Sequence, residues 1–304
     1  MEETKPLYYR LHNRLLSEQT KERGEKLIIY ISIISFVIHL ALIFLNSAGI
    51  LEIGAEASLF QSPISAIYTP FSFILIYEVY LLIYYLPQSI TIYIGKQYEI
   101  ITLIVIRRVF KDLGNLELSP NWFQIQNDLQ FTYDLSATII LFLLIFCFLL
   151  LNKRSNTTEN TEQDVVSPNI QQFIKMKHYI SIALVPVFLL LALYSFGQWA
   201  FDTFLSTETV IYGLKDLNKI FFDEFFTVLI LTDVVLLLFS FIHTDQFSKV
   251  IRNSGFIIST ILIKISFGTE GLLNTALIVV AVFFGVTILG IHNLYERIEA
   301  PEEV

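Results

Sequence analysis

The chain has little cysteine and little charge. Its one thiol, Cys147, lies inside an apolar run. A single cysteine closes no internal disulfide, and no Cys/His spacing of the zinc-binding kind accompanies it. Charged residues make up 16% of the 304 residues, whereas a soluble domain carries about 25%. The balance is acidic, with a net charge of -8, and no basic patch or recognition module stands out. That argues against nucleic acid as a partner. There is no nucleophile elbow, Walker loop, HExxH sequence or glycine-rich phosphate loop. No potassium-channel filter is present, and the fourth apolar run lacks the arginine series of a voltage sensor. The expectation is therefore no catalytic residue, no bound metal and no cofactor.

What the chain does have is long apolar blocks. Hydrophobic residues reach 54%, and aromatic residues 14%. A spanning helix needs about 20 predominantly apolar residues. Eight runs are expected to cross: Leu27 to Leu45, Ile67 to Leu86, Ile100 to Phe110, Thr138 to Leu151, Tyr179 to Phe196, Phe225 to Ile242, Phe256 to Phe267 and Leu272 to Ile291. The fold class is thus an all-α integral membrane protein, a polytopic bundle of about eight transmembrane helices. Pro87-Gln88 reads as a helix stop after the second run, and Pro186 as a kink in the fifth.

The division expected is a cytoplasmic amphipathic segment 1–26, a four-helix half 27–151, a cytoplasmic linker 152–175, a second four-helix half 176–295 and a cytoplasmic tail 296–304. Leu7, Leu11 and Leu15 recur every four residues in the first segment, which suits a helix lying on the membrane surface or a plain solvated one. The mixed-charge stretch before the first apolar run is unlike a cleavable signal, so the run reads as a retained span.

Lys and Arg set the orientation. With eight spans and the N-terminus inside, inner segments hold Lys5, Arg10, Lys96, Lys153, Arg154, Lys175, Lys177, Lys249 and Arg252, among others, while outer loops keep Lys111, Lys215 and Lys219. Six spans would put Lys153, Arg154, Lys175 and Lys177 outside. The expected place is a plasma membrane, the inner membrane of a prokaryotic cell, with both termini cytoplasmic. The Asn156-Thr157-Thr158 sequon then faces inward and is disregarded. Expected partners are the lipid bilayer, further copies of the chain or other membrane proteins.

An ionisable residue inside a span is a functional candidate by default. Glu78 lies midway along the second run and Asp233 midway along the sixth; Arg107 and Arg108 lie in the third and Lys264 in the seventh. Counting about 1.5 Å per residue from the connecting turns, taken as ending near Lys96 and Arg252, sets each acid and base roughly 14–18 Å from the inner face. The spacing therefore predicts Glu78 beside Arg107 or Arg108, and Asp233 beside Lys264. A shift of 155 aligns Glu78 with Asp233, and one of 156 aligns Arg108 with Lys264. That suggests a parallel 4+4 internal repeat, and many transporters built from repeats keep their sites at the midplane.

Two readings of these charges stay open. They line an ion or small-solute pathway, or each pair latches its hairpin, one charge offsetting the other's desolvation. His39 in the first run is a secondary candidate for a proton relay or for a hydrogen bond to a neighbouring helix. Tyr77 is another, within the tyrosine-edged face of the second run, which suits helix packing or a wet cavity. The chain is expected to be a transporter or channel for an ion or small solute. The competing classes are an assembly subunit of a membrane complex and a membrane-embedded enzyme.

Overall fold

The computed structural model describes residues 14–50, 63–113, 116, 126–159, 175–191, 194, 217–243 and 247–299. Among them there is no strand. Helix α1 is Glu18–Ser47. Helix α2 is Tyr68–Tyr85, entered through a 3-10 turn at Pro63–Ile67. Helix α3 is Ile90–Leu113 and α4 is Gln126–Glu159. Helix α5 occupies 175–191. Helix α6 is Leu217–His243, α7 is Phe247–Phe267 and α8 is Gly271–Glu299.

Among the described residues four helical stretches are long and apolar enough to cross a membrane: Glu18–Ser47, Asp128–Lys153, Phe247–Phe267 and Gly271–Ile298. Their exposed side chains fit that reading. Tyr30, Ile34 and Val37 on α1, Phe142 and Leu143 on α4, and Phe283 on α8 are all more than half exposed. Soluble monomers rarely leave contiguous apolar surface of this extent open to water. In lipid it costs nothing. The chain is a membrane protein.

Two helices begin or end beyond the apolar runs that mark them. Residues 14 and 15 are helical and are separated from α1 by a break at 16–17, while 1–13 lie outside the described residues. Ser17 caps α1, its hydroxyl accepting from the Thr20 N–H at 3.2 Å. Residues 18–26 then continue into the first apolar run as one helix. Leu16 is buried in the core, so at least this part of the leucine-rich segment packs on protein; Leu7 and Leu11 lie outside the described residues. At the other join, α4 runs on to Glu159, so the first residues of the expected linker 152–175 are helical. Residues 160–174 lie outside the described residues.

Helices α3, α4, α8 and α7 pack in that order around a centre, and α3 meets α7 across it. Helix α2 lies against α3 and carries α1, while α6 lies against α7. Close approach depends on small residues, as is common where membrane helices cross. A Cβ at Gly285 on α8 would stand 1.7 Å from the Tyr98 hydroxyl on α3. One at Gly255 on α7 would stand 2.7 Å from Ile288 on α8.

Candidate functional site

The centre of the bundle is polar where α3 crosses α7. Tyr98 and Ser259 share a hydrogen bond of 2.8 Å, and the Ser259 hydroxyl lies 2.7 Å from the Ala281 carbonyl on α8. One residue along each helix, the Thr260 hydroxyl donates to Gln97 Oε1 at 2.9 Å. Gln97 Nε2 in turn donates to Asp233 Oδ2 on α6 at 3.3 Å. Gln97 and Thr260 are fully buried, and Asp233 is 5% exposed. A carboxylate so placed must find donors, because burial without them is costly. Here the donor is an amide. Among the described residues no cation stands within ion-pair distance of Asp233.

A second cluster sits at the far ends of α3 and α7. Arg108 Nη2 lies 3.1 Å from Asp134 Oδ1 on α4, and Thr275 on α8 donates to the same oxygen at 2.7 Å. Arg108 also donates to the Asn274 side chain, whose amide donates to the Ser266 carbonyl. Three helices are thereby joined to α3 through one guanidinium. Arg107 is buried nearby on the chain, at 3% exposure.

The near ends carry a third group. Arg252 on α7 meets His292 on α8 at 2.9 Å, and His292 meets Glu296 at 3.0 Å. Lys177, at the start of α5 before the fifth apolar run, donates to the Gln88 carbonyl at 2.9 Å. Burial pushes its ammonium down to about 8; the Asp233 charge opposes that shift and Arg252 adds to it. Among the described residues no three His, Cys, Asp or Glu side chains gather as a metal site would require.

The expected acid–base pairs do not form. Arg108 is held by Asp134 and Asn274 instead of Glu78. Glu78 makes no hydrogen bond or ion pair among the described residues, and the charges that reach it are those of Glu99, Lys96 and Glu25. Asp233 bonds to Gln97, not to Lys264. The reason is the length of the turns. Helix α3 starts at Ile90, directly after Pro87-Gln88-Ser89, and α7 starts at Phe247. Gly95-Lys96-Gln97 in the second turn of α3 and Ser248-Lys249 in the first turn of α7 read as loop in hydropathy, which displaced each expected hairpin centre by several residues. With the true turn, Glu78 stands at the level of Lys96 to Glu99, about two to three helical turns short of Arg107.

The secondary candidates make contacts between helices. His39 hydrogen-bonds through Nδ1 to the Thr69 hydroxyl on α2. Tyr77 donates to the Lys21 carbonyl at 3.2 Å and Tyr80 to the Leu15 carbonyl at 2.7 Å. Tyr84 reaches the Glu18 carboxylate, which also pairs with Lys21; these bonds, the lysine first, hold Glu18 below its ordinary carboxylate range. The tyrosine edge of α2 thus grips the start of α1.

Gln97, Tyr98, Ser259, Thr260 and Asp134 carry the observed networks and were absent from the expected site. An amide or hydroxyl inside an apolar stretch is a weaker sequence signal than a charge. Gln97 lay in a stretch read as turn, and Asp134 just ahead of the fourth apolar run. Comparison with known protein families, with curated proteins and with solved structures finds no match.

Proposed function

We propose that the chain is an eight-span transporter or channel for an ion or small solute, built of two similar halves, with its site where α3 and α7 cross. Asp233 carries this reading. It is a buried carboxylate held by a neutral amide from the other half of the chain, with no cation in ion-pair reach among the described residues. An intramembrane acid of this kind is suited to take up and release a positive charge. Its position between halves also suits a repeat-built transporter. The repeat is supported by matching neighbours: α2 lies on α3 as α6 lies on α7, and α3 lies on α4 as α7 lies on α8. Glu78 is the first-half counterpart of Asp233, less deeply enclosed and near Lys96 and Glu99. Lys/Arg placement supports cytoplasmic termini.

Purified protein in vesicles tests this. Flux of protons, sodium, potassium and chloride is measured under imposed gradients, for the parent and for Asp233→Asn, which keeps the side chain's shape. One of these ions should move with the parent and fall at least tenfold with the variant. An inert parent across all four, in correctly oriented vesicles, would retire the pathway reading in favour of an assembly subunit. The long, lipid-open apolar face of α1 supplies a surface for such a role.

A further inference from the structure

We propose that Asp233, Gln97 and Thr260 form a reversible proton-binding site in which the chain of hydrogen bonds that links them is kept in both protonation states, so that the cation handled is a proton and not a metal ion. The proposal takes its purpose from the transport reading but stands on its own hydrogen-bond geometry.

As observed, the chain of bonds runs one way. Thr260 donates to Gln97 Oε1, and Gln97 Nε2 donates to Asp233 Oδ2. An ionised carboxylate accepts only, so this is the arrangement its charge requires. The Thr260 hydroxyl has one hydrogen but two acceptors in reach, Gln97 Oε1 at 2.9 Å and the Phe256 carbonyl at 3.1 Å. It can therefore turn its hydrogen to Phe256 and offer a lone pair to Gln97 instead. The oxygen and nitrogen ends of an amide are close in shape, and a half-turn of the Gln97 amide exchanges them.

Protonation then reverses the whole chain. A proton taken from water forms an O–H bond at Asp233 Oδ2. That hydroxyl donates to Gln97 Oε1, the Gln97 nitrogen donates to Thr260 Oγ1, and Thr260 donates to the Phe256 carbonyl. No other covalent bond forms or breaks, and release to water runs the same steps backward. Each link between the three side chains keeps its hydrogen bond in both states, and a lost bond is the usual penalty for changing the charge of a buried group.

A second observation points into the same place. The Tyr93 hydroxyl is buried beside the Gln97 amide and the Asp233 carboxylate but meets neither at full hydrogen-bond geometry. It lies one turn from Gln97 on α3, toward the end where Lys177 sits, and within electrostatic reach of Asp233. The groups that face Asp233 are thus Gln97 and the Tyr93 phenol from α3 and the Lys177 ammonium from α5. The phenol can hand a proton on without carrying a charge itself. A metal ion would instead need several oxygens at once, and the atom now turned to the carboxylate is an N–H.

Infrared difference titration of the full-length protein tests the site. The carbonyl stretch of a protonated carboxylic acid should appear as pH falls in the parent and be missing from Asp233→Asn. In Gln97→Leu it should persist but move toward the frequency of a free acid, because its hydrogen-bond partner is gone. Thr260→Ser, which keeps the hydroxyl, should leave it in place and guards against misfolding of the leucine variant. Saturating sodium, lithium or potassium chloride should leave the band unchanged. Absence of a titrating band assignable to Asp233 in folded protein overturns the proposal, as does its displacement by a metal cation. A titrating band in a protein without proton flux would uphold the site and overturn the transport reading alone.

Discussion

Arg108 on α3 is bound to Asp134 on α4, with 3.1 Å between Nη2 and Oδ1, and the carboxylate is wholly enclosed. The bond fixes the far ends of two neighbouring helices, while Asn274 and Thr275 tie in α8. Removing one member of a buried pair commonly costs about 3–5 kcal/mol, because it strands the other charge. Arg108→Met should therefore lower thermal stability in detergent sharply. Adding Asp134→Asn should restore part of the loss, since the amide still accepts from Thr275. A single variant as stable as the parent would refute the latch.

The contact between Gly285 and Tyr98 supplies a steric prediction. Any Cβ at residue 285 meets the phenol oxygen. Gly285→Ala should push Tyr98 off Ser259 and loosen the α3–α8 contact, at a cost of about 1–3 kcal/mol. Tyr98→Phe in the same chain should recover part of it, because the closest atom is then absent. The check is a double-mutant cycle read from thermal unfolding; simple additivity would count against the contact.

Lys177 provides a pH window. Its folded-state value is pushed down to about 8 from an ordinary 10.5. The unfolded chain therefore binds more protons between those values, and stability should rise as pH climbs through that interval. The gain attributable to this group is on the order of 3 kcal/mol. Lys177→Met should lack it. Melting temperatures from pH 7.5 to 10.5, parent minus variant, measure the difference; parallel curves would contradict the burial argument.

Topology is open to labelling because Cys147 is the chain's sole thiol. In a Cys147→Ser background, a cysteine replacing Asn160 should resist impermeant maleimide added outside intact cells and react once the membrane is opened. Efficient labelling from outside would exclude cytoplasmic placement of this segment and with it the eight-span proposal.

Sequence reading located the helices better than it located the site. Apolar blocks reveal helices because lipid selects for unbroken hydrophobicity, and each of the runs expected to cross falls wholly or largely within a described helix. His39 and Tyr77 illustrate the limit: both were visible as polar groups in apolar runs, but whether they faced a cavity or a neighbouring backbone depended on what packed against them.

By itself the sequence determined the solvent, the secondary structure and the rarity of charge in the core, since each follows from local composition along one helix. It also singled out Asp233 and Arg108 as residues whose burial demands an explanation. Only the tertiary structure decided their partners. A hairpin's register turns on where a helix begins, and Gly95-Lys96-Gln97 inside α3 and Ser248-Lys249 at the start of α7 look like loop in hydropathy. The donors to Asp233 come from Gln97, more than a hundred residues away in the chain. That pairing exists because α3 crosses α7 and α6 lies against α7, and helix crossings are set by the packing of whole faces, with Gly285 giving Tyr98 room, rather than by any pattern along one of them.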